Sequence, residues 1–190
     1  NGEAIFSCSI SFQKREKGLE HQIKMPKIQG PEKLKSDLQL RKELKSKIPK
    51  DYLPMWLRER EIETRQVEPV DLLKAEKLPP YRSTWMKPTG KLPSDERIHQ
   101  ALLLYVSDMG LLGAAVNPHE VNFMSKKFQS ASLDHVMWFH GKVNFNNWIL
   151  HHMHSPISQN ARGFSRGSIY TKAGKLVAST AQEGLMRIWD

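Results

Sequence analysis

A long amphipathic helix pattern, followed directly by strand patterns, constrains the fold of this chain most. Residues Pro93 to Glu96 supply a helix cap and an acidic first turn. Apolar side chains then recur at three- and four-residue spacing, which predicts a helix over residues 95–112 with one apolar face. The recurring side chains are those of Ile98, Ala101, Leu102, Tyr105, Met109 and Leu112.

Strand-like segments follow this helix, and one precedes it at residues 59–67. The last two flank a short polar link that ends in Gly174, which predicts a hairpin. A long helix before several long strands predicts an α+β unit in which an antiparallel sheet wraps its apolar face around the helix. The segments after the helix are residues 132–140, 148–154, 161–171 and 175–188.

The first residues show a different pattern. Residues 3–13 alternate between apolar and polar side chains, which predicts a half-buried strand with Cys8 as a buried thiol. A lone strand is not stable by itself, so the chain is expected to begin in the middle of a domain. The Pro-rich stretch at residues 69–93 is expected to be largely loop.

The charge balance suggests a polyanionic partner at first sight. The chain has 29 Lys and Arg residues against 20 Asp and Glu residues, a formal net charge of +9. The densest part, residues 33–47, has no aromatic side chains between its lysines for bases to stack on, so we predict a solvated helix or linker and no nucleic-acid partner. No apolar run reaches the ~18 residues of a membrane span.

Two polar features interrupt the apolar patterns. Asp108 lies within the apolar run Leu102–Leu112, where a carboxylate costs free energy unless it has partners, so it is either exposed at the helix edge or functional. His151, His152 and His154 have no neighbouring carboxylate or thiol in sequence, which favours packed or surface histidines over metal ligands.

Four motifs between residues 107 and 184 resemble the acyl-CoA thioesterase II family. They are SDMGLL (107–112), SLDHVMWFH (132–140), ARGFSRG (161–167) and ASTAQEG (178–184). The resemblance implies a hydrolase that converts fatty acyl-CoA to free fatty acid and CoA without cofactor or metal. It also implies a double hot-dog fold, in which each of two domains is a long helix wrapped by an antiparallel sheet.

The resemblance extends to the opening segment and implies a domain division. Residues 1–27 resemble the closing strands of a first hot-dog domain that is incomplete here, residues 28–54 form a linker, and residues 55–190 form the second, catalytic hot-dog domain. Because hot-dog domains tend to pair sheet to sheet, a homo-oligomer is expected. Members of the family in eukaryotes suggest a peroxisomal location, with a cytoplasmic one as the alternative.

The family's catalytic trio maps onto Asp108, Ser132 and Gln182. The resemblance implies that the three side chains converge on one water molecule, which the Asp108 carboxylate activates for attack on the thioester. Direct attack by Asp108, giving a mixed anhydride, is the alternative mechanism.

The substrate-binding residues are less well defined. Trp138 and Phe139 are predicted to line the core or the acyl tunnel, and Arg162 is a candidate for the phosphates of CoA. Asp134 and His135 resemble a dyad, but adjacent strand residues point to opposite faces, so His135 is predicted to be structural. The alternative function is a non-catalytic module that binds acyl chains, or polyanions through the basic linker.

Overall fold

The computed structural model describes residues 2–71, 73–121 and 123–189. Its helices are α1 (Asp37–Glu43), α2 (Leu53–Trp56), α3 (Glu96–Ser107) and α4 (Leu111–Val116). Its strands are β1 (Ile62–Gln66), β2 (Tyr81–Pro88), β3 (Phe128–Ser132), β4 (Val136–Phe139), β5 (Ile149–Gln159), β6 (Arg162–Thr171) and β7 (Leu176–Ile188).

The strands form one antiparallel sheet that packs against α3 and α4. The strand order is β1-β2-β5-β6-β7-β3, and β4 also pairs with β7. Leu103 and Val106 of α3 are buried among apolar side chains of the sheet such as Met86 and Ile169, and α4 contacts β2, β5, β6 and β7. The predicted α+β architecture, a sheet around a helix, is therefore confirmed. The hairpin at residues 172–174 is confirmed as well, since β6 and β7 flank it.

Strand β2 lies in the stretch that was predicted to be mostly loop, so that prediction was wrong for residues 81–88. Its prolines do not interrupt the pairing, because Pro79 and Pro80 precede the strand and Pro88 is its last residue. A proline at a strand end leaves the interior donors of the ladder intact. β2 then links β1 to β5 within the sheet.

The single helix predicted over residues 95–112 is two helices. α3 ends at Ser107 and α4 begins at Leu111, and Gly110 between them has a φ of 81°, in the left-handed region. Glycine adopts this conformation without the steric cost that a Cβ imposes. The break leaves Asp108 directly after the last turn of α3.

Among the described residues, one stretch has the length and hydropathy of a membrane-spanning helix, Glu96–Val116. It is the same α3–α4 stretch that packs on the sheet. Such values are also those of a core helix, so they are weak support for a membrane span.

The strand predicted at residues 3–13 was wrong. Residues 2–30 have no regular secondary structure, and no described strand pairs with them. Cys8 is exposed, and so are its apolar neighbours, with Phe12 91% exposed. Without a partner strand the alternating pattern has no face to bury. The assignment of residues 1–27 to a first hot-dog domain stays a prediction.

Residues 21–30 pack on the sheet without joining its ladder. Met25 and Ile28 lie against the buried Trp85 and Tyr170. The indole nitrogen of Trp85 donates to the carbonyl of Gln29 at 2.9 Å. This segment covers part of the sheet face opposite α3 and α4.

The basic segment, residues 33–47, is helical at α1, but its charged side chains are not all exposed to solvent. Arg41 is only 4% exposed. Its guanidinium donates to Asp37 at 2.8 Å, to the carbonyl of Arg58 at 3.1 Å and to the carbonyl of Trp56. Arg41 therefore holds α1 against the end of α2 and the residues after it, and the prediction of a solvated face was wrong at this position.

The strand predicted at residues 132–140 is also divided. β3 ends at Ser132, β4 begins at Val136, and both pair with β7. Residues 133–135, the β3–β4 loop, connect them. Ser132 thereby becomes the last residue of a strand.

A buried pair of polar side chains lies on the sheet face that packs on the helices. His151 of β5 is fully buried, and its Nε2 lies 3.3 Å from Oγ1 of Thr180 on β7. The two side chains meet over Gly167 of β6, where a Cβ would collide with both of them. Burial, with the nearby charges of His135 and His152, lowers the pKa of His151 to about 3.

Replacing Gly167 by alanine is expected to destabilise the protein. The added methyl group overlaps the His151–Thr180 contact, and overpacking of this kind costs about 1–3 kcal/mol. Urea unfolding followed by circular dichroism measures the difference. Gly90→Ala is the matched control, because no atom of the described residues lies within 4 Å of a Cβ there. An unchanged midpoint for Gly167→Ala would contradict the packing described.

The buried His151 is expected to make the protein less stable in mild acid. Its pKa lies near 3 when folded and near 6.5 when unfolded, so its neutral form favours folding above pH 6.5, and that stability is lost as the pH falls towards 3. The loss is on the order of 1 kcal/mol per pH unit within this window. Unfolding free energies against pH should be flatter for His151→Gln, while the exposed His154→Gln control keeps the slope of the unmodified chain. Equal slopes for all three would exclude this account.

Candidate active site

Three side chains from three different elements meet at the end of α3. Asp108 follows the last residue of α3 and has an exposed carboxylate. Ser132 is the last residue of β3 and pairs with Gly184 of β7, two residues beyond Gln182. Gln182 is only 2% exposed. The helix break and the ladder between β3 and β7 thus bring the three predicted catalytic residues together.

Both polar partners donate to the same oxygen of Asp108. Oγ of Ser132 lies 3.2 Å from Oδ1, and Nε2 of Gln182 lies 2.6 Å from it. Among the described residues, no side chain or backbone group donates to Oδ2. The carboxylate is therefore held through one oxygen, and the other is free to accept a proton.

The orientation of the Gln182 amide follows from this contact. A carboxylate accepts hydrogen bonds only, so the amide must present its nitrogen to Asp108. Its Oε1 is then buried without a hydrogen-bond partner in the described part of the protein. The amide has a second N–H and a free acceptor, which leaves it able to contact a bound polar group.

Several buried side-chain atoms of the described residues have no hydrogen-bond partner. Besides Oε1 of Gln182, these atoms are Oγ of Ser165, Nδ1 of His135, Nδ1 of His151 and, on β2, Nε of Arg82. Ser165 pairs with Gln182 across β6 and β7. Buried polar atoms without partners are costly, and they are found where a site is kept for a polar ligand or for catalysis. Two of these atoms, Oε1 of Gln182 and Nδ1 of His135, belong to side chains that contact Asp108 or the residue before it.

His135 contributes to the site in a way that the sequence did not reveal. Its Nε2 lies 2.7 Å from Oγ of Ser107, the buried residue before Asp108. Asp134 accepts a hydrogen bond from the backbone N–H of Glu183, the residue after Gln182, at 2.7 Å. The adjacency of Asp134 and His135 to Ser132 was the only available signal, and it does not show what they contact.

The predicted substrate-binding residues lie on β6 and β4. Arg162 is exposed at the start of β6 and forms an ion pair with Glu183, N to O 3.2 Å. Phe139 pairs with Ala178 of β7, and Trp138 pairs with Ser179, so the two aromatic side chains point to opposite faces of the sheet. Both are about half exposed and neither belongs to the core. Their part in substrate binding stays a prediction.

Metal and polyanion binding gain no specific support. The described residues include no group of three or more His, Cys, Asp or Glu side chains that could hold a metal ion. His152 is paired with Ser83, Nδ1 to Oγ 3.0 Å, and His151 is buried. In the basic segment Arg41 is buried, and Lys35 pairs with Glu43 at 2.6 Å.

Solved structures support the hot-dog fold. An acyl-CoA thioesterase II, TesB2, from Mycobacterium marinum has a TM-score of 0.68 and 29% identity, over 94% of this chain and 61% of that one. A hot-dog protein from Alicyclobacillus acidocaldarius has a TM-score of 0.64 and 14% identity, over 93% of this chain and 60% of that one. The sheet wrapped around α3 and α4 is therefore a hot-dog fold.

Sequence comparisons give the family. Acyl-CoA thioesterase 2 of Haemophilus influenzae is 36% identical over 183 residues, which cover 96% of this chain. The chain spans 64% of the length of that relative. A family model described as Acyl-CoA thioesterase matches residues 56–185, a range that contains Asp108, Ser132 and Gln182. The chain therefore belongs to the acyl-CoA thioesterase family.

Proposed function

We propose that this chain carries the catalytic site of a hydrolase that cleaves fatty acyl-CoA to free fatty acid and CoA. The observation that supports the proposal best is the carboxylate of Asp108, which Ser132 and Gln182 hold at Oδ1 and to whose Oδ2 none of the described residues donates. Membership of the acyl-CoA thioesterase family supports the substrate class. A hydrolase needs a fixed acceptor for a water proton beside an accessible surface, and this carboxylate has both properties.

In the proposed reaction Oδ2 of Asp108 takes a proton from a water molecule whose oxygen attacks the thioester carbon. The tetrahedral intermediate collapses, the carbon–sulfur bond breaks, and the proton passes from Asp108 to the CoA thiolate. Fatty acid and CoA are the products, and Asp108 is returned to its ionised form. The second N–H of Gln182 is free to donate to the oxygen that carries the negative charge.

We prefer attack by water to attack by Asp108 itself. Two hydrogen bonds at Oδ1 fix the carboxylate in one orientation. A proton acceptor gains from fixed geometry, because the transfer requires a short and well-aligned contact. The hydroxyl of Ser132 and the amide of Gln182 therefore have a clear use in the water mechanism.

Other properties of the whole protein stay predictions. A peroxisomal location, a cytoplasmic alternative and a homo-oligomer formed by sheet pairing are consistent with the family but rest on the resemblance alone. It also stays a prediction that Arg162, Trp138 and Phe139 contribute to CoA and acyl binding.

Asp108→Asn is expected to abolish most of the activity. The amide cannot accept the water proton, and loss of a general base lowers the rate roughly 10²- to 10⁴-fold. Release of thiol from a series of fatty acyl-CoA substrates, followed with a chromogenic thiol reagent, measures this. Asp51→Asn is the matched control, because Asp51 is an exposed carboxylate on the helical turn Lys50–Tyr52. Full turnover by folded Asp108→Asn would contradict the assignment of Asp108 as the general base.

Ser132 offers a test of the hydroxyl alone. Ser132→Ala removes a donor to a charged oxygen, worth about 1.5–3 kcal/mol, so kcat should fall roughly 10- to 100-fold. Ser132→Thr keeps the hydroxyl and should retain most of the rate. Steady-state kinetics on both variants give the comparison. If the alanine variant matched the threonine variant, the hydroxyl would have no part in catalysis.

A further inference from the structure

The three catalytic side chains come from separate elements, so something must hold those elements in register. The direct contacts to Asp108 join side chains but do not fix the backbones behind them. Ser132 is followed at once by the β3–β4 loop, residues 133–135. This loop contacts the residue next to each of the other two catalytic positions.

The first contact fixes β7 beside Gln182. Asp134 accepts from the backbone N–H of Glu183 at 2.7 Å through Oδ1. The backbone N–H of Leu133 donates to the carbonyl of the same residue at 2.9 Å. Glu183 is therefore bonded at both its N–H and its carbonyl to the loop that begins after Ser132. These bonds set the position of Gln182 relative to Ser132.

The second contact fixes the last turn of α3. The hydroxyl of Ser107 donates to the carbonyl of Leu104 at 2.7 Å, so its proton is already used. Nε2 of His135, 2.7 Å from the same oxygen, must then be the donor. Its Nδ1 is buried without a partner in the described part of the protein. His135 thereby ties the loop to the residue before Asp108.

We propose that Asp134 and His135 are positioning residues, which hold Gln182 and Asp108 in register with Ser132 through Glu183 and Ser107. The inference rests on the proposed hydrolase function, and it extends that function to two residues that bond to the neighbours of Asp108 and Gln182. It also explains why a polar loop with a partly buried histidine lies directly after a catalytic serine. Misplacement of a catalytic group by about 1 Å is enough to cost roughly 100-fold in rate.

The test uses truncating and conservative variants of both residues in the full chain. Asp134→Ala and His135→Ala should lower kcat roughly 10- to 100-fold with little change in KM. Asp134→Asn keeps an acceptor and His135→Gln keeps a donor, so both should recover most of the rate. The pH profile of kcat should keep its shape in His135→Gln, because His135 transfers no proton. If His135→Gln lost the acidic or the basic limb of the pH profile, the positioning role would be overturned.

Two controls separate positioning from a general loss of structure. His140→Ala removes a similar pair between the residue after β4 and β7, Nε2 to Oγ of Ser179 at 2.8 Å, and should leave kcat unchanged. Glu68→Ala removes a carboxylate that accepts from the backbone N–H of Ser83 at 3.2 Å, and should do the same. The affinity of a non-hydrolysable thioether analogue of acyl-CoA should stay within about twofold in all variants, since binding does not depend on alignment of the base.

The outcomes distinguish the two proposals. If the unmodified chain hydrolyses acyl-CoA and Asp108→Asn does not, the proposed function is supported. The variants of the β3–β4 loop then test the positioning inference alone. Wild-type kcat in Asp134→Ala and His135→Ala, or equal losses in the His140→Ala and Glu68→Ala controls, would overturn it. An unmodified chain that shows no hydrolysis would overturn the function and the inference with it.

Discussion

The break in the core helix at Asp108 is the constraint on which the site depends. A continuous helix over residues 95–112 would place Asp108 on the side of a cylinder, with its position fixed by helical geometry alone. The left-handed Gly110 instead ends α3 at Ser107 and starts α4 at Leu111. Asp108 becomes the end of a helix, and its carboxylate reaches Ser132 and Gln182 on the sheet. The helix is thus interrupted over residues 108–110, and this interruption places Asp108 in the site.

The sheet beneath the site is unusually polar for a surface that packs on helices. His151, Thr180, Gln182 and Ser165 are all buried there, and several of their polar atoms have no partner in the described residues. Such groups reduce stability relative to apolar side chains. Gln182 contacts Asp108 directly, so part of this polar cost falls at the candidate site, while the apolar core around Leu103 and Val106 packs on the preceding turns of α3.

Much of the fold could be predicted from local patterns, and the failures have physical reasons. The periodicity from Ile98 to Leu112 continues through residues 108–110, so apolar spacing alone does not show the break. Strand β2 is bounded by prolines, and they concealed it. The alternation at residues 3–13 is real, but a strand needs a partner, and none of the described strands supplies one. Arg41 contacts carbonyls 15 and 17 residues further on, which no local pattern reveals.

For the site, the motifs located Asp108, Ser132 and Gln182 but not their arrangement. The convergence of two donors on Oδ1 depends on the register of β3 against β7. The contacts of Asp134 and His135 depend on the division of the predicted strand into β3 and β4. Both are properties of the tertiary structure, and local sequence patterns do not predict them.

The most direct test of Asp108 as a base is a single-turnover reaction in ¹⁸O-labelled water with the enzyme in excess. Attack by water places the label in the fatty acid and none in the protein. We expect labelled product and an unchanged mass for the peptide that contains Asp108. Unlabelled product together with ¹⁸O in the Asp108 carboxylate would show a mixed anhydride, and would contradict the water mechanism.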